Sequence, residues 1–274
     1  MTATEHLDTA ARPQPVKLWF CPNDELDPGL AATLAEHWLD EPERETAERF
    51  LFERDRRQYL VAHVLVRRVL ALATGVPEAD AVIRRSPRGR PFLLAPAEGV
   101  PRGGRELDFS LSHTQGHNLV GVVRRHRIGV DVERLDRENR GFDAIVETFA
   151  PPEREWVAQA VPGRARTRRV LRLWTLKEAY AKARGLGLEL PFDSFSFQLA
   201  QDTGVLGFRA PEDDAGAGRR WRFVELEPAP GVLAAVAVLV DPGEPTLFEV
   251  HHGFPWGNRT PQLLALPEPA PARV

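Results

Sequence analysis

Two carboxylates lie two residues apart in the run Gly129-Val130-Asp131-Val132-Glu133. If this run is a strand, its side chains alternate between faces, so Asp131 and Glu133 share one face, roughly 6.5 Å apart along the backbone. Two like charges this close favour a cation, and Mg²⁺ takes oxygen ligands of this kind. An edge strand with a polar outer face has the same pattern, so these two acids are weak evidence by themselves.

A second stretch, Trp174 to Lys182, carries an acid and an amine on a predicted helix over about 167–183. Glu178 and Lys182 are four residues apart and share one helix face. Only three of the 36 Lys+Arg residues are lysines, and two of them, Lys177 and Lys182, lie here. An ammonium group can place a point charge on one phosphate oxygen. The plain alternative is an exposed i,i+4 ion pair, worth about 0.2–0.5 kcal/mol.

Further candidates precede these two stretches. Phe109 to His113 reads as a strand that ends in the hydroxyl of Ser112 and the imidazole of His113, and both groups suit phosphate oxygens. Arg85 and Arg90 flank a loop in which Gly89 allows the backbone to approach a ligand. A structural histidine and solvated surface arginines are the ordinary explanations of the same residues.

The composition indicates a globular protein. The chain has 274 residues, 43% of them hydrophobic, with a net charge of −3 and a pI of about 6.3, so neither nucleic acid nor an anionic membrane is expected as a partner. Cys21 is the only cysteine, which excludes an internal disulfide and fits a reducing, cytoplasmic location. No signal peptide is visible, and the longest apolar run, Val232 to Val240, is too short to span a membrane.

The element pattern repeats after roughly 110 residues, which favours two fused copies of one helix-plus-sheet unit with a ligand site in the seam near Arg125 to Arg127. The chain divides into a disordered start (1–15), an N-terminal subdomain (16–126), a C-terminal subdomain with the acidic residues (127–252) and a Pro-rich tail (253–274) that adds little to the core. Helices are predicted over 30–39, 43–72, 142–149, 152–160 and 167–183, and strands over 16–20, 81–84, 91–94, 107–112, 119–123, 128–133, 194–199, 205–208, 220–226 and 232–240.

Four motifs in this order resemble the Sfp-type 4′-phosphopantetheinyl transferases. Gly129-Val130-Asp131-Val132-Glu133 is similar to the family's G(I/V)D(I/V)E, and Trp174-x-x-Lys177-Glu178-Ala179-x-x-Lys182 to its WxxKEAxxK. Phe109-Ser110-Leu111-Ser112-His113 resembles FN(L/I)SH with Ser110 in place of Asn, and Gly89-Arg90-Pro91 resembles GKP. Each motif alone is unspecific, but their order over about 45–200 is specific.

The resemblance implies an α+β pseudo-dimer of two similar helix-plus-sheet subdomains and a Mg²⁺-dependent transfer of 4′-phosphopantetheine from coenzyme A to a carrier-protein serine, with release of 3′,5′-ADP. Mn²⁺ could serve in place of Mg²⁺. The metal ligands would be Asp131, Glu133 and Glu178. The catalytic residues would be Glu178, as general base either directly or through a metal-bound water, and Lys182, on the phosphate nearest the leaving nucleotide. The coenzyme A phosphates would be bound by Arg57, Arg85, Arg90, Ser112, His113 and Lys182.

One position departs from the family pattern. Where the family tends to place an arginine early in the N-terminal helix, this chain has Gln58 beside Arg57, and Glu43 and Thr46 replace basic residues that some members carry. Recognition of the 3′-phosphate is therefore expected to differ.

The partner implied is an acyl or peptidyl carrier protein of fatty acid, polyketide or nonribosomal peptide synthesis, with the transferase as a monomer. Docking is expected near Gly185 to Phe197, where Leu186, Leu188, Leu190, Phe192 and Phe195 are more apolar than a surface loop needs. Core packing is the alternative reading of these side chains. Two other functions stay open: a Mg²⁺-dependent hydrolase of a nucleotide diphosphate, and an inactive protein that binds coenzyme A or the carrier.

Overall fold

The structure is a computed structural model, and it describes residues 15–94, 107–137, 141–214, 220–244, 246–257 and 259–266. The predicted disordered start (except its last residue) and the Gly/Pro-rich loop at 95–104 lie outside the described residues. Among those described, no helix has the length and apolar character needed to cross a membrane.

The two halves of the chain repeat the same order of elements. The first consists of β1 (Val16–Pro22), α1 (Pro28–Trp38), α2 (Glu41–Glu48), α3 (Glu53–Thr74), the hairpin β2 (Ile83–Arg85) and β3 (Pro91–Leu93), then β4 (Leu107–Thr114) and β5 (His117–Arg124). The second consists of β6 (Arg127–Arg134), α4 (Phe142–Glu147), α5 (Pro151–Ala158), α6 (Arg164–Arg184), the hairpin β7 (Ser196–Leu199) and β8 (Val205–Arg209), then β9 (Arg220–Ala229) and β10 (Val232–Val240).

The strands also pair in the same way. The first half has the order β1-β5-β4 within its sheet, and the second has β6-β10-β9. Each long helix, α3 or α6, packs apolar side chains against the sheet of its own half. The predicted α+β pseudo-dimer is therefore confirmed.

Both long helices end in the same way. Gly75 after α3 and Gly185 after α6 have φ angles of +76° and +69°, which a residue without a β-carbon adopts at no steric cost. The helical pattern predicted over 43–72, for which a break near Asp55 is one alternative, forms two helices, α2 and α3. The break falls at Phe52, where the backbone is extended just before α3.

The two halves have a buried ion pair at equivalent positions. In the first half Glu43 accepts a hydrogen bond from Arg67 Nε at 3.0 Å, and in the second half Glu153 pairs with Lys177 Nζ at 2.7 Å. Both glutamates also accept the backbone N–H just before their own helix, from Asp40 and Ala150. Lys177 is therefore a structural residue, and its presence in the helix reflects this pair and not phosphate binding.

The predicted tail contributes more than expected. After β10 the chain forms β11 (Thr246–His252), which pairs in parallel with β1 of the first half, and β12 (Gln262–Leu266), which pairs with β11. Phe254 is buried among the side chains of α1 and α3. The boundary predicted at 252 is therefore corrected, because the chain returns to the first half before the predicted tail begins.

Candidate active site

A glycine lets β6 lie directly on α6. A β-carbon built on Gly129 would lie 1.9 Å from the carbonyl oxygen of Ala179 and 2.5 Å from the backbone nitrogen of Ala183, so no other residue fits without moving the helix. The close approach brings the face of β6 that carries Asp131 next to the face of α6 that carries Glu178 and Lys182. Gly129 was noted in the sequence only as part of a motif, since its neighbour on α6 is fifty residues away.

Asp131 is held by residues from both halves. Its Oδ1 accepts hydrogen bonds from Lys182 Nζ at 2.6 Å and from Ser112 Oγ at 2.8 Å, and Lys182 Nζ also lies 3.0 Å from Ser112 Oγ. Ser112 belongs to β4, which runs beside β6, so the seam between the halves closes at this point. The other oxygen, Oδ2, is buried and has no hydrogen-bond partner among the described residues.

Glu133 and Glu178 complete a group of three carboxylates. The valines between the strand acids, Val130 and Val132, are buried on the opposite face, as period two predicts. The pKa of Glu178 is raised to about 7, first by burial and then by the charge of Asp131, with Lys182 opposing the shift and Glu133 adding to it. Burial and then Asp131 also raise the pKa of Glu133. The three acids therefore repel one another, and a cation would relieve the repulsion.

Two residues that the sequence did not single out hold Glu133. Thr114 donates a hydrogen bond from Oγ1 to Glu133 Oε2 at 3.4 Å, and the guanidinium of Arg137 pairs with Glu133 Oε1. In this arrangement the oxygens of Asp131, Glu133 and Glu178 do not come within 4.8 Å of one another as a set; among the described residues only His126, Asp241 and Glu244 do.

A cavity of about 630 Å³ is lined in part by Thr114, whose hydroxyl donates to Glu133. His113 and Thr114 form one wall, and α3 forms the other with Arg57, Gln58 and Tyr59. Partial desolvation and then Lys182 lower the pKa of His113, which keeps its imidazole neutral near pH 7. The cavity therefore brings a neutral ring and an arginine together, and Thr114 is its contact with the acidic group.

Arg57 and Gln58 are already engaged by protein groups. Arg57 Nη2 donates to the carbonyl oxygens of Asn23 and Leu26, both at 3.2 Å. Gln58 Oε1 accepts from Asn23 Nδ2 at 3.0 Å, and its Nε2 donates to Asn118 Oδ1 at 2.6 Å. The amide of Gln58 thus fixes the turn between β4 and β5, a role that no local sequence signal indicates.

Arg85 and Arg90 do not line this cavity. Arg90 Nη2 donates to Asp108 Oδ2 at 2.6 Å and to the carbonyl oxygen of Ile128 at 2.9 Å, so it joins the β2–β3 hairpin to the start of β6. Arg85 is exposed and donates to the carbonyl oxygen of Gly89 at 2.9 Å. Their contact with a phosphate stays a prediction.

The segment predicted for docking is mostly core. Leu190, Phe192 and Phe195 are buried against α6, and the carbonyl oxygens of both phenylalanines accept hydrogen bonds from Lys177. The excess of apolar residues in Gly185 to Phe197 is therefore explained by packing, and it is not an argument for docking there.

Two family models cover most of the chain. Residues 127–237 match the 4′-phosphopantetheinyl transferase superfamily, and residues 30–123 match the N-terminal region of 4′-phosphopantetheinyl transferases. A 4′-phosphopantetheinyl transferase of Nostoc sp. is 30% identical over 81% of this chain and 87% of its own length, and one of Bacillus subtilis is 30% identical over 69% and 75%. The chain therefore belongs to the 4′-phosphopantetheinyl transferase superfamily.

Coverage differs among the relatives. A phosphopantetheinyl transferase of Thraustochytrium sp. is 31% identical over 61% of this chain, which spans 59% of that protein's length. Among solved structures, a holo-(acyl-carrier-protein) synthase of Bacillus anthracis in complex with CoA (3′,5′-ADP) matches 42% of this chain and 96% of its own, at 21% identity and a TM-score of 0.35.

Proposed function

We propose that this protein transfers 4′-phosphopantetheine from coenzyme A to a serine of a carrier protein and releases 3′,5′-ADP. The observation that carries the proposal is the contact of Asp131 with both Lys182 and Ser112, beside Glu133 and Glu178. This contact brings residues of both halves together around one group of acids and one amine. The chain that forms it belongs to the transferase superfamily.

The acidic group fits a divalent cation. Asp131 offers a buried oxygen without a partner among the described residues. Burial first, and then the charge of Asp131, raises the pKa values of Glu178 and Glu133, so an added positive charge would favour their ionised forms. Asp131, Glu133 and Glu178 would hold Mg²⁺, or Mn²⁺ in its place. When bound, the ion neutralises charge on the diphosphate.

The remaining chemistry falls to side chains of the chain. The serine hydroxyl of the carrier attacks the β-phosphorus of coenzyme A, its proton passes to Glu178, and the bond between this phosphorus and the oxygen that leaves with 3′,5′-ADP breaks. Lys182 places its positive charge where the leaving oxygen gains negative charge.

The cavity beside His113 has room for the rest of coenzyme A. His113 and Arg57 line this cavity, and Ser112 lies next to His113 at the acidic group. Ser112 and His113 would bind the diphosphate as neutral hydrogen-bonding groups. Arg85 and Arg90 lie on the neighbouring hairpin and would require side-chain movement to reach a phosphate.

We also place the enzyme in the cytoplasm as a monomer that serves carriers of polyketide or peptide synthesis. The free, buried thiol of Cys21 fits a reducing compartment. A monomer suffices because the two halves of one chain supply both sides of the site.

Intact-mass spectrometry tests the proposal. Apo carriers of the fatty acid, polyketide and peptide classes are incubated with the protein, coenzyme A and Mg²⁺. Transfer raises the mass of at least one carrier by a phosphopantetheine. Loss of coenzyme A without any change in carrier mass would identify a hydrolase instead. If neither the carrier masses nor the coenzyme A changed, both functions would be contradicted.

A further inference from the structure

Three metal-ligating side chains meet away from the acidic group, where the chain passes between its two halves. His126 lies in the turn from β5 to β6, and Asp241 and Glu244 lie in the turn after β10 that leads to β11. One nitrogen or oxygen of each side chain lies within 4.8 Å of the other two.

The imidazole of His126 is largely enclosed. Only 8% of its side chain is exposed, and its Nε2 lies 3.0 Å from Glu244 Oε2. Two ligand atoms that each lie about 2.0–2.1 Å from a tetrahedral zinc ion are roughly 3.4 Å apart. The 3.0 Å between His126 and Glu244 is that of a hydrogen-bonded ion pair, so these two side chains would move apart by a few tenths of an ångström to share an ion. The ligand atom of Asp241 lies within 4.8 Å of both.

The turn that carries the two acids is built to hold them. The backbone N–H of Glu244 donates to the carbonyl oxygen of Asp241 at 3.2 Å, and Gly243 has a φ of +77° directly after Pro242. Proline followed by a glycine with positive φ is typical of a type II turn. Asp241 and Glu244 are its first and last residues, so the turn holds the backbone of both acids close together.

Two arginines next to this cluster in sequence, Arg124 and Arg127, contact groups outside it. Arg127 lies 3.9 Å from Asp108 Oδ1, and Arg124 donates from Nη2 to the carbonyl oxygen of Ala73. Arg125, next to His126, adds positive charge. The cluster itself pairs one imidazole with two carboxylates, so one divalent ion leaves it near neutrality.

We infer that His126, Asp241 and Glu244 form a binding site for a zinc-type transition-metal ion, separate from the acidic group at the seam. One nitrogen and two oxygens suit Zn²⁺, whereas Mg²⁺ prefers oxygen ligands alone. The ion joins the turn that enters the second half to the turn that leaves it. Its effect is to stabilise the pairing of the two halves.

Calorimetric titration of the full chain with Zn²⁺, after removal of metals with EDTA, tests this site. His126→Gln is expected to remove one zinc equivalent or to weaken its binding at least tenfold, and His37→Gln, on the exposed face of α1, is the matched control. Asp131→Asn, at the acidic group, should leave this equivalent unchanged, and excess Mg²⁺ should not displace it.

Thermal unfolding gives a second measure. Zn²⁺ should raise the Tm of the wild type and of His37→Gln, and less so that of His126→Gln or Glu244→Gln. Glu244→Gln lies in a turn and keeps the imidazole, so it serves if His126→Gln fails to fold. Zinc binding that is the same in both cluster variants as in the wild type, or that disappears in Asp131→Asn, would overturn the inference. Failure of carrier modification would not bear on it.

Discussion

The molecule has two equivalent clefts, and only one carries the acidic group. In the second half, α6 lies on β6 with β4 alongside. In the first half, α3 faces β1 across a cavity of about 520 Å³, with β11 alongside β1. In the first half, β11 pairs in parallel with β1. In the second half, Ser112 and Thr114 of β4 contact Asp131 and Glu133 of β6 in the same order, so β4 also runs parallel to β6.

The shared helix ends and strand turns align the two clefts residue by residue. Counting back from Gly75 and Gly185, Arg68 is the counterpart of Glu178, and Leu72 of Lys182. The strands β1 and β6 are aligned through the residues they pair with, counted from the turn glycines Gly116 and Gly231. On this alignment Trp19 is the counterpart of Asp131, and Cys21 is the counterpart of Glu133.

The difference shows which parts of the repeat are scaffold and which are chemistry. Both halves keep the helix, the sheet, the glycine caps and the buried ion pair. At the four aligned positions the first half has no carboxylate and no free amine: Arg68 binds Glu78 and the carbonyl oxygen of Pro255, and Cys21 is fully buried. One cleft per chain can therefore hold a cation between acids.

The buried ion pairs offer the largest expected effect on stability. Lys177→Met leaves Glu153 buried without its ammonium partner, so we expect a loss of about 3–5 kcal/mol in the free energy of unfolding. Arg67→Met should cost less, because the side chain of Glu43 is 15% exposed and that of Glu153 only 1%. Denaturant unfolding of both variants checks the order. An equal or larger loss in Arg67→Met would show that exposure of the glutamate does not decide the cost.

Asp131 should control metal affinity at the seam. Removal of a residue that only orients a metal ligand costs about 10–100-fold in metal affinity. Because Asp131 would itself be a ligand, Asp131→Asn should weaken Mn²⁺ binding by at least about 100-fold. Calorimetry in a His126→Gln background keeps the two proposed metal sites apart, and Asp143→Asn, an exposed acid on α4, is the control. Mn²⁺ affinity that survives in Asp131→Asn would remove this residue from the metal site.

Lys182→Arg should act on the rate more than on binding. A guanidinium still attracts the diphosphate, but its planar, bulkier group misplaces charge at the leaving oxygen. We expect kcat to fall about tenfold or more while KM for coenzyme A changes little. Steady-state kinetics with excess carrier measures both. A wild-type kcat would mean that any positive charge suffices there.

Glu178 should make the metal-free protein less stable at higher pH. A carboxyl group whose pKa is raised from 4.5 to about 7 holds its proton longer in the folded state, so stability falls as the pH rises through that window. Glu178→Gln removes this dependence and should raise the Tm in EDTA at pH 8 relative to the wild type, with little change at pH 4. A variant that is less stable than the wild type at pH 8 would show that the charge is compensated.

Local periodicity predicted much of this site. Alternation along β6 placed Asp131 and Glu133 on one face, and the i,i+4 spacing placed Glu178 with Lys182 on α6. The order of elements indicated the repeat. These signals need only neighbours in sequence.

Contacts across long separations were not predictable in this way. The ammonium of Lys182 binds Asp131, 51 residues earlier, and not its helix neighbour Glu178. Lys177 faces Glu153 and two backbone carbonyls, and Arg90 faces Asp108. The strand β11 pairs with β1 from the opposite end of the chain. Each partner is set by how helices and sheets pack, which neither composition nor spacing encodes.

The rate of carrier modification in two aligned variants tests the central claim, that only the seam beside α6 carries the reaction. Glu178→Gln and Arg68→Gln introduce the same residue at equivalent positions of the two halves. Intact-mass kinetics with coenzyme A and Mg²⁺ should show at least a 100-fold loss for Glu178→Gln and a rate within about twofold of wild type for Arg68→Gln. Wild-type transfer by Glu178→Gln, or an equal loss in both variants, would contradict the account.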